Sequence, residues 1–285
     1  MDDFEFGFAD SDGVRIHFAT IGTGPLVVMI HGFPDFWYTW RHQMRGLASN
    51  YRVVAMDLRG YNHSDQPQQQ DQYAMHLLMS DVAAVIRHFG ERDAAIVGHD
   101  WGAAITWNVA LHLPDITRLM VAMNMPHPFC MANAWATSDA ARAGTGYAKV
   151  FREGNASDPD IFFGMPMRPE TLSGWVTDED AAEHYREAFA RSNFDGMLNC
   201  YKENYPDIWG DTPLTPPDLT PVTMPALVIH GLADKAVHAD GLNRLWECAA
   251  KDLTLVTVPG ADHFVQQDAA KLVTRTLRDW LDARH

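Results

Sequence analysis

The chain has 285 residues, of which 47% are hydrophobic, and a formal charge of −15. That size and apolar content suit one or two globular domains with a sizeable core. The charge excludes nucleic acid and anionic membrane as partners, and no run of ~18 apolar residues offers a transmembrane helix. The cysteines Cys130, Cys200 and Cys248 have no metal-type spacing, and the acidic start Met1–Glu5 lacks a charged-then-apolar signal pattern. Both features point to reduced thiols in a cytoplasmic protein.

Residues 3–22 alternate apolar and polar around Ser11-Asp12-Gly13, which predicts a hairpin of two half-exposed strands. Pro25–Ile30 is a continuous apolar run and reads as a strand buried on both faces. A helix is expected over roughly Trp40–Ser49, a strand over Tyr51–Met56, a loop over Gln66–Gln72, and a helix over 73–90 through Leu77, Leu78, Val82, Val85 and Ile86. Ala94–Val97 is another buried strand, followed by a helix from Gly102 to about Leu113, and Leu119–Met123 is a further strand. The alternation then stops. Residues 128–216 carry helical patterns over Asp178–Arg191 and Phe194–Tyr205, with Pro213, Pro216, Pro217 and Pro221 as a linker. It resumes with a strand at Ala226–Gly231, a helix around 239–250, a strand at Leu253–Val258 and a helix from about Ala269 to Ala283. The fold class is therefore α/β, with a mostly parallel, doubly wound sheet built from 1–127 and 217–285. A helical cap, 128–216, lies over the strand ends, where ligands of such sheets bind. No G-x-G-x-x-G follows a strand, so a dinucleotide cofactor is not expected.

Between the strand at 94–97 and its helix stands Gly98-His99-Asp100-Trp101-Gly102. G-x-D-x-G is the nucleophile-elbow pattern of α/β-hydrolases with aspartate where serine is more usual. Its glycines allow a sharp turn, and the helix N-terminus favours an ionised Asp100. An ordinary turn with a capping aspartate has the same local pattern. Two later residues decide between these readings. Asp234 follows the strand at 226–231 and His263 follows the strand at 253–258, in the order nucleophile, acid, base. A nucleophile needs a base within hydrogen-bond reach and an acid that fixes the base's tautomer. Asp262 is a rival acid, but it adjoins His263 and its side chain points elsewhere. His31-Gly32-Phe33-Pro34 ends the 25–30 strand, and the Phe33 amide pairs with that of Trp101 as an oxyanion hole.

The stretch His31-Gly32-Phe33-Pro34-Asp35-Phe36-Trp37-Tyr38-Thr39-Trp40-Arg41-His42-Gln43 resembles the H-G-F-P-x-x-W-Y-x-W-R-x-Q signature of soluble epoxide hydrolases. Asp57-Leu58-Arg59-Gly60-Tyr61, the elbow, and Leu198-Asn199-Cys200-Tyr201-Lys202 are similar to the same family. Asn62 and Ala103 stand where the family usually has glycine. The resemblance implies an α/β-hydrolase with a helical cap, acting without cofactor or metal on a small-molecule epoxide. It also implies two cap tyrosines that hold the epoxide oxygen. Tyr201 is one and Tyr147 the other, with Tyr185 and Tyr205 as alternatives. His31, Phe33, Pro34 and Trp101 would touch substrate, and a homodimer is left open. The rival enzyme reading is a dehalogenase using the same aspartate. It would bind halide through Trp101 and either Trp135 or Trp175. A ligand receptor on the same fold is the reading from another class.

Overall fold

A computed structural model describes residues 3–209 and 218–284. Eight strands form one sheet: β1 Glu5–Ser11, β2 Val14–Ile21, β3 Leu26–Ile30, β4 Arg52–Met56, β5 Ala94–His99, β6 Thr117–Met123, β7 Ala226–Gly231 and β8 Leu253–Val258. Their order is β1-β2-β4-β3-β5-β6-β7-β8. β1 and β2 pair antiparallel, β2 pairs antiparallel with β4, and every later pair is parallel. The continuous apolar runs explain this arrangement. Strands β3, β5 and β7 are buried at every position because helices cover both faces.

The helices on those faces are α1 Arg41–Leu47, α2 Met75–His88, α3 Trp101–His112 and, near the end of the chain, α10 Val265–Asp268 and α11 Ala270–Asp282. α1 packs on α11, and α2 on α3. In α11 the buried residues Val273, Leu277, Trp280 and Leu281 recur at helical spacing, and the rest of the helix faces water. Between β6 and β7 the chain inserts six more helices among the described residues: α4 Pro128–Thr137, α5 Asp139–Gly144, α6 Gly146–Glu153, α7 Pro169–Leu172, α8 Glu179–Arg191 and α9 Phe194–Asn204.

Two sequence expectations fail here. β2 is not half-exposed: it lies inside the sheet between β1 and β4, and five of its eight positions are buried. Its one imidazole, His17, is accommodated there by an Nδ1 contact of 2.6 Å to Asp57. The helix expected around 239–250 is instead two short 3-10 turns, Ala239–Leu242 and Leu245–Glu247. Arg244, at φ 66, interrupts them. Three of the linker prolines, Pro213, Pro216 and Pro217, and the expected boundary at 216/217 lie outside the described residues.

Candidate active site

The elbow is built by close packing. Asp100 has φ 53 and ψ −120, an unfavourable conformation for a residue with a Cβ. It is held by its neighbours. The Asp100 amide donates to the Met123 carbonyl at 3.1 Å, and its carbonyl accepts from Ala103 and Ala104 in the first turn of α3. A Cβ on Gly98 would collide with the Gly102 carbonyl, and one on Gly102 with that of Ile30. A Cβ on Gly32 would meet the Asp100 carboxylate itself.

Asp100 is only 3% exposed. Its Oδ1 accepts from the Phe33 amide at 2.8 Å, and its Oδ2 lies 3.5 Å from His263 Nε2. Burial alone would raise the carboxyl's pKa. The hydrogen bond and charge of His263, with smaller help from His99 and the Phe33 amide, outweigh burial and hold it below the usual value. On the far side of the imidazole, His263 Nδ1 donates to Asp234 Oδ2 at 2.9 Å. Burial would lower the imidazole's pKa, but the charge of Asp234 and the hydrogen bonds to both aspartates raise it well above the ordinary histidine value. Asp234 is itself fully engaged. Oδ1 accepts from the amides of Ala236 (2.8 Å) and Val237 (2.9 Å), and Oδ2 also accepts from Asn124 Nδ2 at 2.7 Å. Burial opposes ionisation, but His263 and these donors bring its pKa down to about 2. Asp262 turns away and caps the His263 amide at 2.8 Å.

Two supports were not assigned from the sequence. Asn124 ends β6 and braces the acid. The sign available for it was a polar residue at a strand's carboxyl end. His99 lies beneath the loop that carries His263, and its Nε2 contacts the His263 carbonyl at 2.7 Å. Burial brings its pKa down to about 4, so it is a neutral donor there. His31 needs correction as a substrate contact. It is fully buried, with Nδ1 on the Gly32 carbonyl (2.7 Å) and Nε2 accepting from the Leu58 amide (3.0 Å). It lines neither cavity beside Asp100. It fixes the turn that presents Phe33.

Two cavities meet at this point. One, of about 310 Å³, is lined by Asp100, Trp101, Trp135, Tyr147, Tyr201 and Tyr205 among others. The second, of about 770 Å³, is lined by Phe33, Pro34, Phe162, Trp175, His263 and Phe264. Tyr147 and Tyr201 belong to both walls. They come from α6 and α9, which pack together and bring the two ring centroids to 6.2 Å. Burial raises the pKa of both phenols well above the ordinary value, so both stay protonated. The Trp101 ring stands edge-on to that of Tyr201, with centroids 5.0 Å apart, and partly offsets that shift. Tyr205 shares the first cavity. Tyr185 does not: its hydroxyl donates to Asp35 at 2.7 Å and accepts from Gln267 at 2.9 Å, away from Asp100.

Residues 25–270 match the model of the α/β-hydrolase fold family. An AB hydrolase superfamily protein, YfhM of Bacillus subtilis (strain 168), is 30% identical over 99% of both chains. Epoxide hydrolase 1 of Caenorhabditis elegans is 30% identical over 94% of this chain and 68% of its own. The chain belongs to the epoxide hydrolase family of α/β-hydrolases. A solved structure described as one of the novel epoxide hydrolases from metagenomes of hot environments superposes with a TM-score of 0.87. It is 30% identical over 98% of each chain. Among the described residues, no helix is long and apolar enough to cross a membrane.

Proposed function

We propose that this chain opens epoxides to vicinal diols through a covalent ester on Asp100. Family membership makes it a hydrolase acting on ether bonds. The observation that carries the mechanism is the pair of protonated phenols, Tyr147 and Tyr201, on the wall of the cavity that also holds the Asp100 carboxylate. An epoxide oxygen leaves as a strongly basic alkoxide and needs donors able to release a proton.

Asp100 Oδ2 attacks a ring carbon, the C–O bond breaks, and the oxygen takes a proton from the tyrosine pair. Oδ1 then becomes the ester carbonyl oxygen and already accepts from the Phe33 amide. The Trp101 amide opens α3, where helix N–H groups have no partner within the helix, and supplies the second donor. His263, oriented by Asp234, takes a proton from water. The resulting hydroxide adds to the ester carbonyl, the diol leaves as the carboxylate reforms, and the proton held by His263 returns through solvent to the tyrosinate. The six-helix insertion acts as the cap: it contributes both tyrosines and closes both cavities over the carboxyl ends of the strands.

Halide displacement is the rival for this carboxylate. It is the weaker reading because two protonated phenols, Tyr147 and Tyr201, stand on both cavity walls, and a halide, which leaves as a stable anion, needs no such proton donors. A receptor would have no use for an acid held by four donors behind a histidine. The experiment is a His263→Gln variant mixed with an aryl epoxide. Intact mass should rise by one substrate mass, while the wild type releases diol. A variant that forms no adduct while the wild type turns over sinks the covalent route. Halide release from chloroalkanes without diol formation from epoxides would reverse the substrate assignment.

A further inference from the structure

Two of the three cysteines meet across the seam between the sheet and the helical insertion. Cys130 Sγ and Cys248 Sγ are 3.3 Å apart although 118 residues separate them in sequence. Both are free and fully buried. Cys130 sits in the first turn of α4, where the insertion leaves the core after β6. Cys248 sits where the chain comes back. Its carbonyl accepts from the Val222 amide at 2.9 Å, and the Val222 carbonyl accepts from Ala250 at 2.9 Å. Val222 belongs to the segment that returns from the insertion to β7, and it bridges Ala249 as a short parallel pair.

We propose that Cys130 and Cys248 form a redox pair, which a hydroperoxide converts into an intramolecular disulfide stapling the insertion's point of departure to its point of return. A disulfide needs an S–S separation of ~2.05 Å, so the sulfurs must approach by about 1.3 Å, a movement two side-chain torsions can supply. The chemistry starts at Cys130. The Cys248 thiol, donating its hydrogen, pulls Cys130 below the ordinary thiol range. Burial opposes this, and the Arg244 guanidinium assists. Cys248 is correspondingly pushed well up. Arg244, four residues before Cys248, lies with its guanidinium 4.7 Å from the ring centroid of Phe129, the neighbour of Cys130, and its side chain is 44% exposed.

The Cys130 thiolate attacks one peroxide oxygen, and the O–O bond breaks. The departing hydroxide leaves as water with the thiol's proton, and Cys130 is a sulfenic acid. Cys248 sulfur then attacks Cys130 sulfur. The S–S bond forms, the S–O bond breaks, and the second hydroxide leaves as water with the Cys248 proton. Two thiols and one hydrogen peroxide give one disulfide and two waters. Cys200, the third cysteine, has no such partner: its sulfur faces Asn204 Nδ2 at 3.9 Å, and burial pushes its thiol up.

The test treats the purified protein with stoichiometric hydrogen peroxide, then alkylates it in denaturant. Intact mass should fall by about 2 Da before alkylation. Afterwards only Cys200 should be alkylated, and peptides containing residues 130 and 248 should be joined until dithiothreitol separates them. The closed loop is long, so the oxidised protein should melt ~5 °C or more above the reduced one. Cys130→Ser and Cys248→Ser should each abolish both effects. If neither serine variant folds, peptide mapping of the wild type and of Cys200→Ser decides alone. Three alkylated cysteines beside oxidised methionines, or sulfinic acid on Cys130 without a cross-link, overturn the pair. A cross-link that leaves the melting temperature unchanged or lowers it overturns the staple.

Discussion

At the scale of single residues, the electrostatics separate the two chemical steps by pH. Ring opening needs an ionised Asp100 and protonated tyrosines, and the shifts on all three favour those forms. Ester hydrolysis needs a neutral His263, whose pKa in the resting site is raised well above the usual value. Alkylation removes the Asp100 charge, one of the groups that raise it, and so releases the imidazole toward its neutral form. The rate of adduct formation should therefore be flat from roughly pH 5 to 8, while the rate of adduct decay falls on the acid side. Rapid-quench mass measurements give both rates, and an adduct-formation rate that falls in parallel would contradict this division. In the proposed route the tyrosines act only in the first step. Tyr201→Phe should slow adduct formation by about 10²-fold, and Tyr147→Phe by a similar factor. Tyr185→Phe should leave that rate unchanged, because its hydroxyl serves Asp35. A wild-type rate in Tyr201→Phe would remove the proton donor from the mechanism.

At the scale of elements, the elbow is where the sheet, α3 and the 31–34 turn press together, and three glycines there have different consequences. On Gly98 or Gly102 a Cβ meets backbone, which cannot yield without moving β5 or α3. Alanine at either position should cost about 2–3 kcal/mol or more in urea unfolding. On Gly32 a Cβ meets the Asp100 side chain, so Gly32→Ala should lose activity well before it loses stability. A Gly32→Ala enzyme with wild-type turnover would show that Asp100 has room the packing denies it. These elements were legible in the sequence because buried parallel strands are unbroken apolar runs and the elbow glycines flank one aspartate. The α4 helix was not legible: Phe129, Cys130, Met131, Ala132, Ala134 and Trp135 are all buried, so no polar face marks its period. The helix expected around 239–250 is broken at Arg244, which sits in the left-handed region. Asn62, where glycine was the family's usual residue, also has positive φ, at 45. Its amide side chain turns the departure into a link, donating to Asp57 at 2.8 Å and accepting from Arg191 of α8 at 3.1 Å. That Asp100, Asp234 and His263 come together could be read from residue order. Asn124, His99 and the aromatic walls of the second cavity could not, because they converge only in space.

At the scale of the whole molecule, one buried carboxyl joins three parts of the chain. Asp35, in the turn after β3, is fully buried. Its Oδ1 accepts from the Tyr185 hydroxyl of α8 at 2.7 Å and from the Phe36 amide at 2.9 Å. Gln267, in α10 just beyond His263, donates through Nε2 to Tyr185 (2.9 Å) and to Thr39 (2.9 Å). The insertion, the 31–40 turn and the segment carrying the catalytic histidine are thus tied by one polar cluster. Burial raises the Asp35 pKa from 3.8 to about 7, against the opposing hydrogen bonds of Tyr185, Thr39 and Phe36 and the charge of Arg41. The folded state therefore holds a proton that the unfolded chain releases near pH 4. Its stabilising contribution is complete below that pH, declines as pH rises through the folded value near 7, and is absent above it. A shift of this size corresponds to on the order of 4 kcal/mol, lost between about pH 4 and 7, a large fraction of a typical domain's net stability. Asp35→Asn keeps an acceptor for Tyr185 and cannot ionise. Its melting temperature relative to the wild type should rise between about pH 4 and 7 and level off above that, whatever the offset at pH 4. A difference that stays constant over that range would mean that Asp35 is already ionised in the folded protein, and that the cluster holds a charge rather than a proton.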